Sequence, residues 1–404
     1  MNHFKSVNTS GYILHGAKIL HNCQMQSGTV TIEDDFISSI EANKKLENLK
    51  KSYPVVDLTG FWVLPGIIDL HGDGFERQLF PRPDVSFDIN ETLKIVDKEL
   101  SINGITMAYL ACSFSWEGKV RSPEYAKTFL ENLNKYKQSM ITNIDIQIRY
   151  ETHLVEKVQE LINLIKKYNL NYVVFNNHIP DALDKIKNKP FAFSAWANKM
   201  SLKNSELENI VRYRVSKEKQ VSHSLKILSD FLISKNINFG SHDDENIKNR
   251  KWFRSFGAKI CEFPTTISAA KEAFSNNECV IMGAPNLVRG GSHNGNVSTL
   301  ELLRLGYCNI LVSDYYYPSL LQSFWYLLDH NICSIENAWA LISENPAKAL
   351  NIDKRGTIKV NNYADLVVIN PKTREIEATI CNGKIANVSK NAAVRFIKSS
   401  NSVS

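Results

Sequence analysis

Apolar residues in this chain follow two rhythms. Near both ends, short apolar pieces alternate with polar turns: YIL (12–14), GTVTI (28–32) and FISSI (36–40), then GTIKV (356–360), ADLVVIN (364–370) and EIEATICNGKIA (375–386). Gly punctuation and the Asn382-Gly383 pair favour antiparallel strands. Segments 1–62 and 351–395 are therefore expected to meet in one small β-sandwich. Between them, residues 63–350 alternate strand-like and helix-like stretches, as βα units do. Eight strand candidates occur, at 66–71, 105–111, 145–151, 171–177, 237–242, 258–262, 280–285 and 309–314. Eight parallel strands predict an α/β fold, a closed (β/α)8 TIM-like barrel of ~250 residues. The interval 179–236 exceeds one crossover and reads as an insert, a lid or partner surface. It holds FAFSAW (191–196) and a polar helical stretch over roughly 205–229. The Ser/Asn-rich end, 396–404, is expected to be a disordered tail.

Composition narrows the function classes. The 404 residues suffice for a large core plus a second small domain. A net charge of +6, from 48 basic against 42 acidic residues, is too mild for a nucleic-acid surface but suits a small anionic substrate. The run KKLENLKK (44–51) reads as a solvated helix face or loop. Seven cysteines without a CxxC pair read as free thiols in a reducing cytoplasm. The first twenty residues lack a secretory apolar region, and no run reaches the ~18 residues of a membrane span. The expected location is cytoplasmic, with no membrane partner. A homo-oligomer is neither required nor excluded.

The chemistry sits where apolar runs end. His71 and Asp73 close GIIDLHGD (66–73), His242 stands in INFGSHDD (237–244), and Asp314 closes NILVSD (309–314). A strand ending in His or Asp delivers a donor to its own tip, and barrel catalysis happens at the C-terminal tips. Arg149, Glu151 and His153 share one face by alternation, and His178 follows YVVFNN (172–177). Taken singly, each has a structural explanation: a turn for HxD, an ion pair for Glu151, a core histidine for His178, a helix cap for Asp314. Taken together, His71, Asp73, Glu151, His178, His242 and Asp314 fall at strand ends in chain order, as ligands of a metal centre would. Glu151 is the candidate bridge between two ions. Asp314 can bind metal through one oxygen and take a proton from water through the other. Asp243 and Asp244 can orient His242. His223, in a polar helical context, is expected to be merely exposed. The loop MGAPNLVRGGSHNGNV (282–297) follows the seventh strand. Arg289, the Gly290 and Gly291 amides, Ser292 and His293 could bind phosphate there, with Arg82 and Arg77 as weaker candidates.

These residues resemble the amidohydrolase superfamily, through VLPGIIDLHGD (63–73), the Asp314 strand, NPAKAL (345–350) and GTIKVNNYADLVVI (356–369). More narrowly, HGDGFERQLFPRP (71–83), SHDD (241–244), EFPTT (262–266), the 282–297 loop and SDYYYPSLL (313–321) are similar to the α-D-ribose 1-methylphosphonate 5-triphosphate diphosphatase family of the carbon–phosphorus lyase pathway. The resemblance implies a barrel plus sandwich, a binuclear metal centre held by the six residues above, and hydrolysis of the 5-triphosphate to 5-phosphate and pyrophosphate. The donor types suit two Zn ions, or Mn or Fe. Two departures stand out. The wider superfamily carries a second His where Asp73 stands. The family's Pro-Gly-Gln-Arg-Gln after the His178 position is here IPDALDK (179–185); if that loop grips the substrate, the departure implies another phosphoester or a role outside the known pathway. The expected function is a metal-dependent phosphoanhydride hydrolase. The alternatives are an amidohydrolase opening a cyclic amide or deaminating a small heterocycle, and a non-catalytic barrel.

Overall fold

A computed structural model of the chain describes residues 11–42, 53–82, 85–291 and 295–400. The basic run 44–51, Ser292, His293 and residues 401–404 lie outside this set.

The two chain ends meet in one sheet. Its strands are β1 (Gly11–His21), β2 (Gln24–Glu33), β3 (Phe36–Ala42), β4 (Val55–Asp57) and β5 (Trp62–Pro65), with β14 (Leu366–Asn370), β15 (Glu375–Cys381) and β16 (Lys384–Val388) from the far end. The order is β16-β15-β14-β5-β1-β2-β3, with β4 beside β1. β1 is antiparallel to β2 and carries an irregularity between Leu14 and Ala17. It runs parallel to β4 along one half and to β5 along the other. The N- and C-terminal parts join where β14 pairs antiparallel with β5. Val30 and Ile32 of β2 share one core with Leu366 and Val368 of β14 and Ile380 of β15. The tail expected from residue 396 is corrected here, because a helix spans Lys390–Ser400. Ala392 and Phe396, four apart on one helix face, join that core and hold the helix in place.

The other sheet is the barrel: β6 (Ile67–Gly72), β7 (Ile105–Phe114), β8 (Asn143–Glu151), β9 (Tyr172–Asn176), β10 (Asn238–His242), β11 (Ile260–Glu262), β12 (Cys279–Gly283) and β13 (Ile310–Val312). All eight fall on predicted strands, and neighbours in space are neighbours in sequence. Each described pair is parallel, as helical crossovers demand. Alternation splits each strand between two cores. Tyr172 and Val174 point into the barrel with Ile68, Leu70, Ile260, Ile281 and Val312. Val173 and Phe175 point outward under the helices. Asp88 opens the first full helix, Ile89–Ile102, by accepting the amides of Asn90 and Glu91.

The insert after β9 is helical: Ile179–Asn188, Pro190–Lys199, Asn204–Val215 and Glu218–Ser234. The polar stretch predicted as one element is two helices, separated at Ser216 and Lys217. Phe193, Ala197 and Leu207 give the first three helices a small core of their own. The fourth returns to the barrel through Val221, Leu225, Leu228 and Leu232. Among the described residues, no helix is long and apolar enough to cross a membrane.

Candidate metal centre at the barrel mouth

The first and last barrel strands are joined at the mouth by few but specific contacts. Gly72 and Asp314 form a parallel bridge. The Asp314 amide donates to the His71 carbonyl at 2.9 Å, and the Asp73 amide donates to the Asp314 carbonyl at 2.8 Å. Below them, buried Asp69 accepts from the Ser313 amide at 3.0 Å and the Ser313 hydroxyl at 2.5 Å. A Cβ on Gly72 would stand 2.9 Å from Asp69 Oδ2 and 2.9 Å from the Tyr317 ring, so only glycine fits the seam. β6 also shifts register between Asp69 and Gly72. The irregularity lets Leu70 and His71 both face inward, which regular alternation forbids. Asp314 itself sits at φ +55°, in the left-handed region where Asp is among the tolerated residues.

Three groups of close-set donors occur among the described residues: His71 with Asp73 and Asp314, His71 with His242 and Glu262, and Glu151 with His178 and Glu117. All six predicted ligands are in them. His71 belongs to two groups. Glu151, the predicted bridge, joins neither of those two. The carboxylate that faces two imidazoles at once is Glu262 of β11, whose Oε2 is 3.0 Å from His71 Nδ1 and 3.7 Å from His242 Nε2.

Glu262 and Glu151 are held in the same way. In Glu262, Oε1 accepts from Gln147 at 2.7 Å and from Tyr172 at 3.5 Å, while Oε2 has no hydrogen bond. In Glu151, Oε2 accepts from the Trp116 indole at 3.1 Å and the His178 amide at 3.3 Å. Its Oε1 lies 2.5 Å from His178 Nδ1, again without hydrogen-bond geometry. His71 Nδ1, His242 Nδ1 and His178 Nδ1 are likewise buried without a hydrogen bond. Buried polar atoms are normally satisfied, so this cluster of orphaned N and O donors fits a set of metal ligands. Glu117 differs. Its carboxylate is taken up by Arg121, at 3.0 and 3.1 Å, and by Ser115 at 3.2 Å.

The electrostatics follow from burial and close charges. Burial alone would push His71 down, but Glu262 beside it holds its pKa up, and the Glu262 carboxyl is held low in return despite burial. Burial also opposes protonation of His178, yet the charges of Glu151 and Glu117 raise it to about 10. Burial lowers His242. Burial lifts Asp314 to about 6, against the pull of His71 and Arg149 and with Asp73 and Glu262 adding to the rise.

Several neighbours depart from the expected positions. Asp243 Oδ2 lies 2.9 Å from His242 Nδ1, whereas Asp244 turns away into a buried pair with Arg250. Alternation along β8 stops at Glu151, so His153 leaves the inner face and binds Glu218 of the fourth insert helix at 2.7 Å. His223 is exposed on that helix. Arg77 is occupied with the Gly74 carbonyl at 3.4 Å and Glu99 at 3.8 Å, and Arg82 is exposed at an isolated bridge to Val85. Arg289 stands at the rim and donates to the Tyr315 hydroxyl at 3.0 Å, one residue from Asp314. The open amides expected at Gly290 and Gly291 need correction. The short helix Ala284–Val288 ends there, and both N–H groups close its last turn by donating to Leu287 and Asn286 carbonyls.

Glu262, Glu117 and Asp69 are absent from the residues proposed on sequence grounds. A rule that admits Glu at the end of an apolar run finds Glu262 from AKICE (258–262). Glu117 lies beyond β7 in a loop, where no periodicity points to it.

A family model described as "Amidohydrolase family" matches residues 310–394. The α-D-ribose 1-methylphosphonate 5-triphosphate diphosphatase of Escherichia coli (strain K12) is 28% identical over 376 residues, 90% of this chain and 96% of that protein. Among solved structures, an N-acetylglucosamine-6-phosphate deacetylase from Pasteurella multocida superposes with a TM-score of 0.63 at 14% identity, over 93% of this chain and 99% of its own. A Xaa-Pro dipeptidase with bound methionine does so at 0.64 and 13%, over 93% and 99%. At such identities these two show the fold. The amidohydrolase resemblance read from the sequence is borne out.

Proposed function

We propose that this chain, a hydrolase of amidohydrolase type, is a metal-dependent phosphoanhydride hydrolase that releases pyrophosphate from a ribosyl 5-triphosphate. The substrate would be α-D-ribose 1-methylphosphonate 5-triphosphate or a close relative, and the activity would then belong to phosphonate metabolism. One observation carries the reading. Orphaned donors of His71, Glu151, His178, His242 and Glu262 cluster with Asp73 and Asp314 at a barrel mouth rimmed by Arg289, in a chain that aligns along nearly its whole length with a diphosphatase of that substrate.

His71, Asp73, His242, Glu262 and Asp314, with Glu151 and His178, would together hold two ions. When bound, divalent ions supply charge stabilisation for the phosphoryl oxygens and activate water. The protein's own part is orientation and proton handling. Gln147 and Tyr172 fix Glu262, and Trp116 fixes Glu151, so each carboxylate offers one chosen oxygen. Asp314, raised by burial toward neutrality, takes the proton of the attacking water as oxygen bonds to phosphorus. The anhydride P–O bond breaks and pyrophosphate leaves. Arg289 and Tyr315 hold phosphate oxygens at the rim.

The test is a product assay on protein loaded with Zn, Mn or Fe. Pyrophosphate release from ribosyl 5-triphosphates is expected, with neither ammonia release from heterocycles nor opening of cyclic amides. The reverse pattern would sink the phosphoanhydride reading and leave the metal centre standing.

A further inference from the structure

Arg149 lies on β8 between Gln147 and Glu151, so all three side chains share the inner face. Its Nη2 is 3.3 Å from His242 Nε2, and its Nε is buried with no hydrogen-bond partner. Among the described residues no carboxylate comes within ion-pair distance of it. Arg250, Arg121 and Arg355 differ from it in having carboxylate partners. Arg250, fully buried, binds Asp244, Ser241, Glu278 and two backbone carbonyls. Arg121 grips Glu117, and Arg355 pairs with Asp365. A guanidinium has five donors in a fixed fork and cannot shed its charge. Half-buried, with its Nε cut off from any partner and no carboxylate closing on it, the fork is set to receive an anion from a ligand.

Charge accounting at the mouth points the same way. Asp73, Glu151, Glu262 and Asp314 would together offset two divalent ions; Asp243 and Glu76 feel the Arg149 charge, but neither closes an ion pair with the guanidinium, whose fork stays open to an anion. Its position beside the His71, His242 and Glu262 donors is close to where a phosphoryl group must lie for hydrolysis. A fork against two phosphate oxygens is also the contact at which Arg excels and Lys does not.

We propose that Arg149 is a phosphate-binding residue, its guanidinium donating to oxygens of the polyphosphate group beside His242. This assignment rests on the triphosphate reading above. The rival role is purely structural: Arg149 would orient His242 through the Nη2 contact and never touch substrate.

Inorganic tripolyphosphate serves as the probe, titrated calorimetrically into metal-loaded protein whose metal content is measured in parallel. Arg149→Gln is expected to bind tripolyphosphate roughly 10- to 100-fold more weakly at unchanged metal content, the scale of a lost charge-assisted fork. Arg149→Lys should fall between, and added guanidinium should restore part of the loss. Equal affinity in Arg149→Gln and the unaltered protein overturns the assignment. So does loss of metal from both variants, which marks the His242-orienting role. If Arg149→Gln does not fold, Arg149→Lys alone decides, since it keeps the charge and loses only the fork. Pyrophosphate release by the unaltered protein, assayed separately, reports on the triphosphate reading. Unchanged probe binding alongside intact pyrophosphate release therefore removes Arg149 and nothing else.

Discussion

The Asp314 amide donates to the His71 carbonyl across the seam between the last and first barrel strands, at 2.9 Å. Two proposed metal ligands thus share a backbone hydrogen bond as well as a donor group. Whatever loosens the seam separates the ligands.

Ser313→Ala and Gly72→Ala probe that coupling. Removing the Ser313 hydroxyl leaves an oxygen of buried Asp69 short of a donor, which costs about 1–3 kcal/mol. Gly72→Ala drives a methyl group against Asp69 and Tyr317 and should destabilise at least as much. Urea unfolding measures both. A midpoint unchanged in both variants contradicts the seam's role.

Glu262→Gln should lower metal content markedly, because the orphaned Oε2 facing His71 and His242 becomes part of a weakly ligating amide. Glu117→Gln should retain metal, since Glu117 serves Arg121. Elemental analysis of protein purified without chelator is expected to give about two ions per chain, and chelation should stop turnover. An active, metal-free preparation is the outcome that ends this reading.

Metal uptake should release protons. Burial disfavours charge on His178, but Glu151 and Glu117 prevail and raise it to about 10, so the metal-free protein carries an imidazolium there at neutral pH. A ligand imidazole must be neutral, so binding expels that proton, and affinity falls as pH falls. Calorimetry in buffers of different ionisation enthalpy reads the count directly. In His178→Gln the release should drop by about one proton; an identical count removes His178 from the ligand set.

Asp314→Asn separates two roles. A pure ligand loses metal on substitution. A proton acceptor keeps metal while kcat falls by roughly 10²–10⁴. Turnover near normal with full metal content contradicts both.

Arg289→Ala should reduce kcat/KM on a ribosyl triphosphate by roughly 10- to 150-fold, the loss of one or two hydrogen bonds to charged oxygens. Metal content should not change, since Arg289 touches Tyr315 and no proposed ligand. A neutral cyclic amide makes no use of this side chain. An unaltered kcat/KM on the triphosphate would move phosphate recognition elsewhere in the mouth.

The barrel was legible because each strand is an apolar run bounded by turns, and His71, His242 and Asp314 lie at or just beyond strand tips where those runs end. Local periodicity carries that much. What it cannot carry is partnership across strands. That Glu262, not Glu151, lies between two histidines depends on β11 reaching His71 of β6 across the barrel, with Gln147 of β8 and Tyr172 of β9 aiming its carboxylate. The Gly290 and Gly291 amides were misjudged for a similar reason. A glycine-rich loop offers free N–H groups only if no preceding helix consumes them, and Ala284–Val288 does. His153 followed the alternation on paper, but its strand ends two residues earlier and Glu218 draws it outward.

The clamp between Asp69 and Ser313 bridges 244 residues of chain. A ribosome delivers His71 and Asp73 early and Asp314 late, so the donor group these three form is incomplete for most of the chain's synthesis. Until the last strand docks against the first, the shared donors of His71 and Asp314 do not exist as a unit. On the metal reading, an ion held by His71, Asp73 and Asp314 would have to wait for the finished barrel, and its presence there would mark correct closure.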